Sequence, residues 1–233
     1  MKILIIGGMH GNEPLGIAIV ESLSAQPMKN VAGIIANPEA VQQNKRFTTN
    51  DLNRSFPGNE DSYEGNRAKE LLARCQDYDL VLDFHNTHCP ENDCAFIGEN
   101  ADTVLMEAAS YMDLNRVIVA DYDCLNKYAT NCISVEISLD SPRNDVATWL
   151  KIIKELAAAK TLPEAQNIAT YRFIYRMTLE DKERLDLDKA RLRAFQPISD
   201  ELALKMEVQS PAYPIFIADE YTPYNYGGLL NKM

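Results

Sequence analysis

Apolar and polar positions fall into blocks along this chain, and the period changes from block to block. Residues 2–6 form a short run, apolar and rich in isoleucine after Lys2, stopped by Gly7-Gly8. A strand buried on both faces reads this way. Pro14 stands where a helix would start, and proline is tolerated in a first turn. Leu15, Ile19 and Leu23 then recur at helical spacing, which predicts a helix over 13–24. Residues 31–36 are a second β-like run, closed by Asn37-Pro38. Residues 44–59 are polar, lack a period and contain Pro57-Gly58, so they read as a loop. A helix follows over 65–75, then strands over 80–84, 117–120 and 132–137, and a helix over 144–159 with Val146, Leu150, Ile153 and Leu156 on one face.

Strands alternating with helices predict an α/β fold: a mixed, mostly parallel sheet covered by helices on both faces. The pattern changes near Pro163. Residues 171–177 and 213–218 are strand-like, and 179–193 are dense in charge. The expectation is a domain over 1–162 followed by a small β-rich unit over 163–233.

Composition narrows the functional classes. Hydrophobic residues make up 46% of the 233, enough to bury a full core. The net charge of −11 argues against nucleic acid or an anionic membrane as partner, since both select basic surfaces. The five cysteines contain no Cys-x-x-Cys pair and read as free thiols of a reducing compartment. The first apolar run is too short for a secretory signal, and no run approaches the length of a membrane span. The expected location is the cytoplasm.

Three short segments carry the chemistry. Gly7-Gly8-Met9-His10-Gly11-Asn12-Glu13 supplies a histidine and a carboxylate just after the first strand, and Asp83-Phe84-His85-Asn86 supplies a second histidine at the end of another. Ligands bind at the carboxyl ends of strands in open α/β sheets. Two histidines and one glutamate make the three-ligand set of a catalytic zinc, which keeps a fourth position open. His10, Glu13 and His85 are therefore the candidate ligands of one zinc ion. Glu136 is a carboxylate inside an apolar strand, a costly placement unless it is paired or functional, and it suits a general base. In the polar loop, Asn53 and Arg54 suit a carboxylate clamp, and Arg46 a charge aimed at a developing oxyanion. His88 reads as a pocket-wall residue and Asp83 as one that orients the site. A Gly-x-Gly-x-x-Gly dinucleotide loop is excluded by the spacing.

The segments GGMHGNE, NPEAVQQNKRF, DLNRSFPG, DFHN and VEI occur in this order over about residues 3–140. Together they resemble the succinylglutamate desuccinylase/aspartoacylase family, a branch of the zinc carboxypeptidase-like hydrolases. FQPISDEL and YPIFI extend the likeness more weakly toward the C-terminus. The resemblance implies that His10, Glu13 and His85 bind zinc, that Glu136 is the base, that Arg46 polarises the scissile carbonyl and that Asn53 and Arg54 hold a substrate carboxylate. It implies hydrolysis of an N-acyl amino acid, and it admits a homodimer, since members are often dimers. A metallo-carboxypeptidase or peptide amidase would use the same atoms, and a metabolite-binding protein is the reading from another class. Aspartoacylases of the family carry a further arginine about ten residues before the base; Asn126 stands there, which opens the substrate to other side chains. The family also sends a C-terminal tyrosine into the site. Tyr221, Tyr224 and Tyr226 lie in the right region, and Tyr224 is taken as the substrate-binding one.

Overall fold

A computed structural model describes residues 1–188, 192–221 and 225–233. In chain order the elements are β1 (Ile3–Gly7), α1 (Pro14–Ala25), β2 (Val31–Ile35), α2 (Pro38–Gln42), α3 (Tyr63–Cys75), β3 (Leu80–Thr87), β4 (Cys94–Gly98), α4 (Val104–Tyr111), β5 (Arg116–Ala120), α5 (Leu125–Tyr128), β6 (Cys132–Ser138), α6 (Val146–Ala158), β7 (Ala169–Met177), α7 (Leu179–Arg184), α8 (Asp200–Lys205), β8 (Ala212–Ile215) and β9 (Gly227–Lys232). Among the described residues, nine strands make one mixed sheet in the order β2-β1-β3-β6-β4-β5-β7-β9-β8. The mostly parallel α/β sheet expected from the alternation is present; β4 against β6 and β9 against β7 and β8 are its antiparallel pairs.

The unbroken run of β1 follows from its burial on both sides. Ile3 and Ile5 join a cluster with Ile19, Leu82, Phe84, Val135 and Trp149. Leu4 and Ile6 point the other way, into a cluster with Leu71, Val81 and Cys132. Trp149 is fully buried, edge-on to Phe84 with centroids 4.9 Å apart. Each such side chain contributes ~1.5–3 kcal/mol of transfer free energy relative to exposure.

The second face changes character along the strands. It is apolar at Val81 and Cys132, then carries Asp83 and His85 from β3 and Ser134 and Glu136 from β6. Strand β3 runs three residues past the predicted end, so His85 lies within the strand rather than after it. Pairing with β6 permits this, for His85, Asn86 and Thr87 sit opposite Glu136, Ile137 and Ser138. The polar loop contains one 3-10 turn, Leu52–Arg54, whose start Asp51 caps by accepting from Asn53 N–H at 2.9 Å. Glu64, fully buried at the start of α3, fastens the loop by accepting from Thr48 Oγ1 at 2.6 Å and Thr49 N–H at 3.1 Å.

The C-terminal strands do not form a sheet of their own. Strand β7 pairs in parallel with β5, and β9 and β8 extend the same sheet from there. The segment nevertheless has its own apolar cluster, which includes Met177, Leu187, Ile198, Met206 and Leu229. On that cluster we propose 1–162 and 163–233 as separate units joined edge to edge.

Candidate active site

After Ile6 the chain must turn sharply. Gly8 has φ of 68°, and a Cβ on Gly7 would lie 2.2 Å from the carbonyl oxygen of Gly16. Glycine alone accommodates both conditions without strain, and the turn sets His10 at the carboxyl end of β1. Glu13 occupies the N-cap of α1 without making a capping bond. Its carboxylate faces the histidines instead, with Oε1 2.7 Å from His10 Nδ1 and Oε2 2.9 Å from His85 Nδ1. Asn86 takes over at the helix start: its Oδ1 accepts from Leu15 N–H at 2.9 Å.

His10 Nδ1 and His85 Nδ1 lie 3.3 Å apart. The other nitrogen of each ring meets a carboxylate, His10 Nε2 at 3.2 Å from Asp51 Oδ1 and His85 Nε2 at 2.9 Å from Asp83 Oδ2. An ionised carboxylate only accepts, so each Nε2 carries a proton and a neutral ring turns its Nδ1 lone pair inward. With both rings neutral, two imidazole lone pairs and a carboxylate converge on one point, and either a proton shared with Glu13 or a divalent cation relieves their repulsion. The ligand atoms of His10, Glu13 and His85 lie within 4.8 Å of one another, and all three residues are buried. This donor set fits a divalent metal, and carboxylates behind ligating histidines are the usual supporting arrangement. Nitrogen and oxygen donors do not by themselves select one metal.

Titration follows the same geometry. Burial disfavours a charged His85, but Asp83 and Glu13 outweigh it and hold its pKa well above 6.5. Burial raises Glu13, and the charges and hydrogen bonds of His10 and His85 reverse this, keeping it well below the usual carboxylate range. Asp51 is lowered too, with burial overcome by His10, Arg46 and Arg54. Glu136 goes the opposite way: burial, together with Glu13 and Asp219, pushes it up to about 8 against the pull of His85 and Arg46.

His10, Glu13 and Glu136 open into a cleft, while His85, which meets Glu13, is not part of its lining. Arg46, Asn53, Arg54 and Glu136 all line it with His10 and Glu13, so the structure brings the expected residues together. Arg46 spans two carboxylates, with Nη1 3.3 Å from Glu13 Oε1 and Nη2 3.4 Å from Asp51 Oδ2. The Arg54 guanidinium lies over the Tyr122 ring, 4.7 Å from its centroid. The cleft also has walls that the sequence did not single out: Phe96, Tyr122, Phe173 and Phe216, with Arg176 and Asp219. Phe96 stacks on Phe216, and Tyr122 meets Phe173 edge-on.

Of the three C-terminal tyrosines, Tyr221 lines the cleft and packs on His88 with centroids 4.0 Å apart. Tyr226 is buried elsewhere, its hydroxyl donating to Leu187 O at 3.1 Å. Tyr224 lies outside the described residues. Asn126 is buried and absent from the cleft lining. Its Nδ2 donates to Phe96 O at 2.8 Å and Cys132 O at 3.3 Å, so it ties β4 to β6.

Comparison with known proteins agrees with this architecture. Residues 1–142 match the succinylglutamate desuccinylase/aspartoacylase catalytic domain. A human N-acyl-aromatic-L-amino acid amidohydrolase (carboxylate-forming) is 29% identical over 133 residues, a match spanning 48% of this chain and 42% of that protein. A probable aspartoacylase of Nostoc sp. is 25% identical over 268 aligned positions, spanning 93% of this chain and 90% of that one. The crystal structure of a succinylglutamate desuccinylase from Chromobacterium violaceum superposes with a TM-score of 0.75 at 16% identity, covering 100% of this chain and 84% of the other, and so shares the fold. With the match to the catalytic domain covering well over half of its length, the chain belongs to the succinylglutamate desuccinylase/aspartoacylase family.

Proposed function

We propose that this protein is a zinc-dependent amidohydrolase that cleaves the amide bond of an N-acyl amino acid, with Glu136 as general base. The observation that carries the reading is the convergence of His10 Nδ1, Glu13 and His85 Nδ1 directly beside Glu136. Zinc bound there would acidify a water molecule and polarise the acyl carbonyl. Glu136 then takes the proton from the attacking water and returns it to the leaving nitrogen. A divalent charge nearby favours its ionised form, which the base requires. Arg46, fixed by Glu13 and Asp51, faces the charge that develops on the carbonyl oxygen. Asn53 and Arg54 suit the carboxylate of the amino acid. The aromatic walls give the cleft an apolar side, in keeping with a human relative named for N-acyl-aromatic amino acids. The five cysteines are all buried and none forms a disulfide among the described residues, which supports a reducing compartment such as the cytoplasm. No helix among the described residues is long and apolar enough to cross a membrane.

The test is release of free amine from N-acetyl and N-succinyl derivatives of acidic, neutral and aromatic amino acids, with short peptides alongside. Chelator-sensitive turnover of an acyl amino acid is expected. Cleavage of peptides alone would make the protein a metallo-carboxypeptidase or peptide amidase, and retained ligand binding with no turnover would make it a binding protein.

A further inference from the structure

Asn126 sits where aspartoacylases of the family have an arginine, yet it is buried away from the cleft. Its hydrogen bonds lead toward the metal centre. Because Nδ2 donates to the carbonyls of Phe96 and Cys132, the amide orientation is fixed and Oδ1 must be an acceptor. Ser134 Oγ lies 2.8 Å from that Oδ1 and 3.4 Å from Asp83 Oδ2. A serine hydroxyl has one proton to give. The shorter contact takes it, so Ser134 donates to Asn126. Asp83 Oδ1 has no hydrogen-bond partner among the described residues, and Asp83 Oδ2 accepts from His85 Nε2 at 2.9 Å. Among the described residues His85 is then the one close donor to this fully buried carboxylate.

We propose that Asn126 is a positioning residue for the metal centre: it holds the hydroxyl proton of Ser134 away from Asp83, so that Asp83 is polarised toward His85 alone. A carboxylate that accepts one hydrogen bond pulls harder on that donor than one that shares its charge between two. A ligating histidine whose far nitrogen is held this way is the more basic ligand. The inference rests on reading His85 as a zinc ligand.

The experiment uses the full chain and measures zinc affinity by chelator competition for Asn126→Ala, Ser134→Ala and the double variant. Asn126→Ala frees Ser134 to turn to Asp83 and is expected to weaken zinc binding ~10-fold, the low end of effects seen for groups behind metal ligands. Ser134→Ala removes the competitor and should leave affinity within about twofold of wild type. The double variant should return to the wild-type value. A purely structural role for Asn126 predicts no such rescue, so unrescued loss, or no loss, overturns the proposal. The Nε2–H resonance of His85 in ¹⁵N-histidine-labelled, zinc-free protein gives a second readout that needs neither Asn126→Ala to fold nor zinc to bind. With three histidines in the chain it can be assigned. It should stay in place in Ser134→Ala; a shift would mean that Ser134 donates to Asp83, and the proposal would be wrong. Failure to bind zinc at all would sink the hydrolase reading, while this resonance would still decide the proton's place.

Discussion

His85 and Glu136 stand opposite each other on neighbouring parallel strands, in register across β3 and β6. Paired residues of adjacent strands share a face, so the candidate ligand and the candidate base are fixed by the sheet rather than by a loop. Glu136→Gln preserves shape and removes the basic oxygen. It should keep zinc at wild-type stoichiometry and lower kcat by ~10²–10⁴-fold. Metal content and turnover on the preferred substrate check this, and near-normal turnover would remove Glu136 from the mechanism.

The same residue sets the pH response of chelator-treated protein. The pKa of Glu136 is raised from 4.5 to about 8. Between those values the folded chain holds a proton that the unfolded chain has released, so stability falls as pH rises. His85, raised well above 6.5, acts in the same direction: its contribution is full below 6.5 and is lost as pH climbs through the folded value. Glu13 and Asp51 are lowered, so they contribute above 4.5 and 3.8 and lose that contribution in acid. The metal-free Tm should therefore peak near about pH 5–6 and drop by roughly 5 °C or more by about pH 8.5. Glu136→Gln should remove much of that drop. A Tm that rises over this interval would contradict the assignment.

How much of this was legible beforehand depended on whether neighbours in sequence or distant strands supplied the signal. His10, Glu13 and His85 sit beside apolar runs that end in glycine or polar residues, and Glu136 interrupts such a run, so each stood out locally. The strand over 171–177 was legible as a strand, but its pairing with β5 is not a local property. Phe173 and Arg176 could not be placed in the cleft without that register. Strand β4 was missed because it is five residues long and follows a polar stretch, and β9 because it opens with two glycines. Asp219 reaches the site through Thr87 Oγ1 and the backbone N–H of His88, a contact across more than a hundred residues that no motif announces.

Zinc uptake should release protons. His85 Nδ1 lies 2.9 Å from Glu13 Oε2, and its raised pKa means that a proton occupies the nitrogen which the metal must reach. Apparent affinity should rise about tenfold per pH unit for each proton displaced, while pH stays below the folded pKa. Calorimetric titration in two buffers of different ionisation enthalpy reads the proton count directly. At least one proton per zinc is expected near pH 7, and equal heats in both buffers would mean that His85 is already neutral.

Arg46 and Arg54 line one cleft but should fail differently when removed. Arg46 is held between Glu13 and Asp51, beside the candidate metal ligands, and in the proposed mechanism its charge would act where the carbonyl oxygen gains charge. Loss of such a donor lowers kcat, here by ~10²–10³-fold, with a small change in KM. Arg54 instead rests on the Tyr122 ring, with Nη1 donating to Asn53 O at 2.9 Å, and makes no ion pair among the described residues. A carboxylate bound there is held equally in ground and transition states, so Arg54→Ala should raise KM by roughly 10–100-fold and leave kcat nearly unchanged. Steady-state kinetics of Arg46→Ala and Arg54→Ala on one substrate separate the two. If both variants lost kcat alone, Arg54 would not be the carboxylate site, and Arg176, which lines the same cleft from β7, would be the next arginine to test for a KM effect.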